Sequence, residues 1–378
     1  MTSSLAPLFQ PIRVGNLDVQ HRIVMAPLTR FRASKAHVHG ELAKTYYGQR
    51  AGFPGTLIIT EGTFIAPQAA GYANVPGIWN ADQIAGWKAI TDVVHAKGSF
   101  IFLQLWALGR AADAAILKED GDFDLVAPSP IPLIDNYTPV KKEPVVPREL
   151  TVSEIKEYTQ LYSKAASNAI EAGFDGVEIH SANGYLLDQF LQDVTNKRTD
   201  NYGGSVENRL RFPLAVVDAV VKAVGAERTA IRLSPWSKFQ SMGMKDPLPT
   251  FTTLVERIRD THPNLAYIHV IAPRTNVYFE ESLSKENQHG TNDPIRKAWG
   301  DRPYIAAGGL DRGDVGSLDR SGTGGLGRGD AIEIPDLPLR LKENVALTPY
   351  NRDTFYTPEA AAGYIDYPFS GEVTSVRA

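Results

Sequence analysis

The 378-residue chain has no cysteine. That absence excludes a disulfide framework, thiolate zinc sites, iron–sulfur clusters and cysteine nucleophiles together. No apolar run approaches the roughly 20 residues that a membrane-spanning helix needs. The first residues, Met1 to Pro11, lack the basic-then-apolar layout of a secretory leader. An excess of positive charge is missing too: 39 Lys and Arg stand against 43 Asp and Glu, a net charge of −4. Nucleic-acid binding normally takes a concentrated basic face, so neither a nucleic-acid nor a membrane partner is expected. What remains is a soluble, cytoplasmic enzyme or binding protein, with its oligomeric state, monomer or homodimer, left open. With 43% hydrophobic and 22% charged residues, it has the balance of an ordinary globular chain with a large core.

Short apolar runs alternate with stretches of helical period. Ile23–Ala26, Thr56–Thr60, Phe100–Leu105, Gly176–His180, Thr229–Leu233, Ala266–Val270 and Tyr304–Ala307 read as buried strands. Residues 41–50, 81–97, 152–172, 206–224, 251–260 and 294–299 read as helices. This alternation predicts an all-parallel sheet covered by helices, and strands apolar on both faces fit it. Thr151 and Glu154 form a capping box at the start of one helix, and Gly173 is a good stop residue at its end. Two regions break the rhythm. Ala107–Leu150 carries Pro128, Pro130, Pro132, Pro139, Pro144 and Pro147, and a loop of that length is either a functional cover or disordered. Asp311–Ile334 is Gly-rich and lies where an eighth strand is due. No linker or composition shift interrupts the chain, so residues 1–378 are expected to form one domain.

In Gly176-Val177-Glu178-Ile179-His180, strand alternation puts Val177 and Ile179 on one face and Glu178 and His180 on the other. The apolar pair should meet the outer helices, leaving Glu178 and His180 inside. Arg232 and Gln104 face inward by the same rule. Polar residues at the C-terminal ends of parallel strands are where barrel active sites are built. His180-Ser181-Ala182-Asn183-Gly184-Tyr185 is the sharpest local signal. An imidazole and a carboxamide three residues apart can converge on one oxygen and stabilise a developing enolate, with the Tyr185 phenol nearby as a proton source. On spacing alone, a satisfied core histidine followed by a turn-forming Asn-Gly stays open as the alternative.

His180-x-x-Asn183-x-Tyr185, set in GFDGVEIHSANGYLLDQFL, resembles the old yellow enzyme family of flavin-dependent ene reductases. MAPLTR (Met25–Arg30), TEGTF (Thr60–Phe64), FLQLWALGR (Phe102–Arg110), NYGGSVENRLRF (Asn201–Phe212), RLSP (Arg232–Pro235), AAGG (Ala306–Gly309), PDLPLRLKEN (Pro335–Asn344) and DTFY…GYIDYP (Asp353–Pro368) follow in family order. The details are similar to the fungal branch. The resemblance implies a single α/β domain, a (β/α)8 TIM barrel with FMN at the C-terminal end of its strands and residues 107–150 as the active-site cover. It implies FMN contacts from Pro27, Thr29 (near N5), Gly62, Gln104 (pyrimidine edge) and Arg232 (beside N1 and the C2 carbonyl). Gly308, Gly309, Gly327 and Arg328 are implied at the phosphate. NADPH would reduce the flavin, His180 and Asn183 would bind the oxygen of an enone or enal, and Tyr185 would protonate the α-carbon. Tyr72, Trp106, Phe239, Tyr278 and Tyr356 would line the substrate pocket. For Arg232, an interior ion pair with Glu178 is compatible with the same position.

The chain departs from the family pattern before Gly327-Arg328, where SGTGGLGRGDAIEIPDLP replaces an apolar strand. Either the eighth strand is short and irregular, or Ala331–Ile334 takes its place. A barrel of this family that has lost FMN and serves as a binding or scaffold protein is therefore the alternative function. Three further motifs are set aside. Gly322-Thr323-Gly324-Gly325-Leu326-Gly327 matches the dinucleotide fingerprint in letters, without the strand before and the helix after that the chemistry requires. His37-Val38-His39 lacks a third metal ligand and reads as a solvated loop. Asn136-Tyr137-Thr138 is a glycosylation sequon that matters only in a secreted chain.

Overall fold

Eight parallel strands close into a barrel in the computed structural model, which describes residues 5–134, 143–273, 290–308, 322–325, 334–348 and 351–371. An antiparallel hairpin, β1 (Ile12–Val14) with β2 (Leu17–Val19), comes first. It is followed by β3 (Ile23–Met25), α1 (Glu41–Arg50), β4 (Leu57–Phe64), α2 (Ala81–His95) and β5 (Phe100–Trp106). The cover then supplies α3 (Ala114–Gly121) and a short parallel pair, β6 (Val126–Ala127) and β7 (Arg148–Glu149). Next come α4 (Val152–Glu171), β8 (Gly176–Ser181), α5 (Leu186–Leu191), α6 (Val206–Val224) and β9 (Thr229–Leu233). The last elements of the barrel are α7 (Leu248–Thr261), β10 (Tyr267–Ile271), α8 (Asp293–Trp299), β11 (Tyr304–Ala307) and β12 (Gly322–Gly325). Around the barrel the order is β3-β4-β5-β8-β9-β10-β11-β12, with β12 back against β3.

The strands sort their side chains as alternation requires. Val177, Ile179, Ile231, Leu233, Ile101 and Leu103 face outward and pack with helix residues such as Ile155, Tyr158, Tyr162, Val216 and Val217 in one large core. Each such side chain removed from water contributes roughly 1.5–3 kcal/mol, which is what fixes the helices on the barrel. Helix α4 starts where its capping box forms: Glu154 N–H donates to Thr151 Oγ1 at 3.2 Å, and Thr151 N–H to Glu154 Oε2 at 2.7 Å. Inside, the lower half of the barrel is apolar. Leu57, Ile59, Phe102, Ala230, Tyr267 and Ile305 pack there with Val14 and Val19 of the β1–β2 hairpin, which seals that end.

The structure corrects several expectations. β4 continues past Thr60 to Phe64, through a bulge between Ile59 and Gly62, because Thr60 and Thr63 hydroxyls both take the Glu61 carbonyl and sustain the irregular backbone. The cover holds α3, capped by Asp113 on Ala115 N–H at 2.9 Å, where proline content had suggested loop. The eighth strand is Gly322–Gly325, paired with β11 at Tyr304, Ile305 and Ala306 and with β3 at Ile23 and Val24; of the alternative stretch, Ala331–Ile334, the first three residues lie outside the described residues. The G-x-G-x-x-G letters thus begin in a barrel strand. His37 and His39 are buried, not solvated. His37 Nδ1 lies 2.6 Å from the Val75 carbonyl and Nε2 3.4 Å from Asp120 of α3, and His39 faces Glu61 at 3.3 Å.

Candidate active site

β5, β8, β9 and β10 carry their inward polar residues in register: Gln104 beside Glu178, His180 beside Arg232, and Arg232 beside His269. Above the apolar floor these groups form one buried network. Gln104 Nε2 donates to Glu178 Oε1 at 2.7 Å, and His269 Nδ1 lies 2.9 Å from Glu178 Oε2. Burial alone would raise the Glu178 carboxyl, but the contact with His269, the Arg232 charge and the Gln104 amide outweigh it and hold the group ionised, while burial lowers the His269 imidazole, which meets the carboxylate as a neutral hydrogen-bond donor. The close partners of Glu178 are therefore His269 and Gln104, while Arg232 acts on it through its charge. Arg232 is the one residue of β9 that is not fully buried. His269 escaped the sequence reading, although the alternation that selected Arg232 would have found it.

The turn after β8 sets the next group. Asn183 has φ of +57° and Gly184 +76°, two successive left-handed residues, a conformation Asn and Gly tolerate best. A side chain on Gly184 would meet Gln240 Cβ at 2.8 Å. Ser234 Oγ accepts Asn183 N–H at 2.6 Å and Asp188 Oδ2 accepts Gly184 N–H at 2.8 Å. Burial pushes the Asp188 carboxyl up to about 7. His180 Nδ1 accepts Ala182 N–H at 3.3 Å, so the ring proton resides on Nε2. Burial first, then the Arg232 charge, holds this imidazole well below its ordinary range, and it is neutral. Asn183 Oδ1 is buried with no hydrogen-bond partner among the described residues. Such an acceptor is expensive to leave unpaired and calls for a donor group.

Aromatic rings extend from this turn to the surface. The Trp106 indole lies parallel to the His180 ring at 5.9 Å and edge-on to Tyr185 at 4.7 Å; Tyr185 lies 5.0 Å from His180. Tyr72 meets Trp106 at 5.9 Å, Phe31 meets Tyr72 at 6.3 Å, and Tyr356 meets Phe31 at 5.8 Å. Gly62 serves this wall: a Cβ there would lie 2.4 Å from the indole. Pro27 and Thr29, just beyond β3, are half-buried, as is Gly308 at the end of β11. Phe239 is half-buried on the turn that backs Gly184. So the structure brings together His180, Asn183, Tyr185, Trp106, Tyr72, Gln104 and Arg232, and it extends the ring wall to Tyr356. Gly309, Tyr278, Gly327 and Arg328 lie outside the described residues. Phe31 was missed because its place depends on a distant segment of chain.

The sequence profile of the NADH:flavin oxidoreductase / NADH oxidase family matches residues 7–347. The chain belongs to this family. It is a flavin-dependent oxidoreductase of the old yellow enzyme type. An NADP-dependent oxidoreductase of Aspergillus flavus, lnbE, is 48% identical across 98% of both chains. Chanoclavine-I aldehyde reductase fgaOx3 of Penicillium roqueforti is 47% identical over 97% of this chain and 98% of its own. An Epichloe festucae var. lolii protein named "probable inactive reductase easA" is 45% identical over 98% and 97%. Among solved structures, the old yellow enzyme homologue of Zymomonas mobilis superposes with a TM-score of 0.85 at 37% identity, covering 96% of this chain and 99% of that one. Among the described residues no helix is long and apolar enough to cross a membrane, and no group of three or more His, Asp or Glu could hold a metal ion.

Proposed function

We propose that the chain is an ene reductase that uses NADPH and FMN to reduce the C=C bond of α,β-unsaturated carbonyl compounds, enones and enals. The observation that carries this reading is the buried, neutral His180, its proton on Nε2, at the end of β8 with the Asn183 carboxamide three residues on in the left-handed turn. Two N–H donors on one carbonyl oxygen polarise it and lower the energy of the enolate charge that develops there. A neutral imidazole can hold that oxygen by hydrogen bonding without surrendering its proton. The Tyr185 phenol, edge-on to the imidazole, is the proton source for the α-carbon. Trp106, Tyr72, Phe239, Tyr278 and Tyr356 orient the substrate.

The polar residues fit FMN. One Gln104 N–H is given to Glu178, which fixes the carboxamide with its carbonyl oxygen available to accept an imide N–H from the pyrimidine edge. Arg232 provides a fixed cation beside the part of the ring that gains charge on reduction. Thr29 offers a hydroxyl near N5, Pro27, Gly62 and Gly308 offer backbone, and Gly309, Gly327 and Arg328 are proposed for the phosphate. When bound, FMN supplies the hydride, received from NADPH and passed to the β-carbon.

Colour is the first test. A yellow preparation should bleach anaerobically with NADPH and regain its absorbance with cyclohexenone. Tyr185→Phe should slow enone reduction and spare flavin reduction by NADPH; equal damage to both half-reactions would refute the proton-donor role. Colourless protein that takes up no added FMN would favour the scaffold reading, to which the all-Gly/Thr eighth strand lends support.

A further inference from the structure

The Arg30–Arg32 stretch after β3 has a use that the reading above leaves open. Arg32, buried, spends its five guanidinium donors on five backbone carbonyls: Nε on Ala360 at 3.0 Å, Nη1 on Arg30 at 2.5 Å and Phe355 at 2.8 Å, Nη2 on Thr354 at 2.8 Å and Ala362 at 3.0 Å. Arg30, also buried, adds Nε on Phe355 O at 3.1 Å and Nη2 on Gly363 O. Between the two, the Phe31 carbonyl accepts Glu359 N–H at 3.1 Å. Residues 354–363 are thereby strapped to the Arg30–Arg32 segment that follows β3, and they lie beyond the family match, which ends at residue 347.

Phe31 itself has φ of +56°, an unfavourable conformation for an aromatic residue. It persists because both flanking arginines are fixed from outside. Its ring then stands between Tyr72 and Tyr356. Arg30 N–H also donates to the buried Glu61 at 3.2 Å, so the segment holding the strap is the one that carries Thr29.

We infer that Arg32 is a positioning residue for substrate specificity, clasping the Thr354–Gly363 strap so that Phe31 and Tyr356 form the outer wall of the pocket. The inference rests on the ene-reductase reading. No other side chain substitutes: five donors in a planar fork are unique to Arg, and Lys offers three from a point charge.

The test compares wild type, Arg32→Lys and Arg32→Ala by hydrogen–deuterium exchange and by steady-state kinetics with cyclohexenone and a short linear enal. Strap amides should exchange about tenfold or more faster in Arg32→Lys, with β8 and β9 unchanged. KM for cyclohexenone should rise about fivefold or more, kcat should stay within about twofold, and the linear enal should be less affected. Unchanged strap exchange overturns the clasp. Faster strap exchange with no change in KM, or with the two substrates affected alike, overturns the specificity role. A wild-type protein, loaded with FMN, that reduces no enone overturns the parent reading instead, and the exchange comparison still decides the clasp.

Discussion

The arc from β4 to β9 and the seam of β11, β12 and β3 complete one barrel by different means. The arc is built from long apolar strands whose inward positions carry Gln104, Glu178, His180 and Arg232, tied in register by hydrogen bonds and charge. At the seam, Gly-Thr-Gly-Gly meets β3 through Ile23 and Val24 alone. Glycine adds backbone entropy to the unfolded chain and little packing to the folded one, so the seam joins the barrel through backbone pairing. Chemistry needs side chains at fixed positions; closure needs only a strand. The two demands fall on different sectors.

The largest expected effect breaks the arc. His180→Ala should lower kcat/KM for enone reduction about 10²–10³-fold, the usual consequence of removing one oxyanion donor, read from steady-state rates with cyclohexenone. A change smaller than about fivefold would remove His180 from the chemistry.

Next comes Asp188, beneath the Asn183–Tyr185 turn. Its pKa is raised from 3.8 to about 7, so between those values the folded protein holds a proton that the unfolded chain has released. Stability from this group is present below about pH 4 and is lost as pH rises toward 7. Asp188→Asn should lack that slope. Relative to wild type it should gain up to about 4 kcal/mol between pH 4 and pH 8, measured by denaturant melts; a pH-independent difference would refute the shifted carboxyl.

The seam is probed by cofactor loss. Dialysis should take the protein well below one FMN per chain, with added FMN restoring the absorbance, whereas full retention would make the seam as firm as the arc. The smallest effect lies outside both sectors. Thr151→Ala should cost about 1 kcal/mol through loss of the α4 cap, seen as a lower Tm with unchanged activity.

These sectors were unequally legible. Strand alternation is local, and that is why Glu178, His180, Arg232 and Gln104 could be placed inside from the letters. The same rule applied to Tyr267–Ile271 marks His269. Helix α4 was readable because its cap and apolar stripe are both local signals. The eighth strand was not, since Gly322–Gly325 has no apolar period and owes its place to β11 and β3. Phe31 and Arg32 were hidden for another reason: Arg32 meets partners more than 300 positions away. His37 and His39 looked polar in a polar stretch, yet Val75, Asp120 and Glu61 wait for them in the fold.

The β1–β2 hairpin that stoppers the far end of the barrel with Val14 and Val19 leaves a cul-de-sac. On the proposed ene-reductase reading, reductant and acceptor then share the opposite, open face, each in its turn. Surplus of either should crowd out the other, so turnover plotted against NADPH at low enone ought to climb, crest and decline.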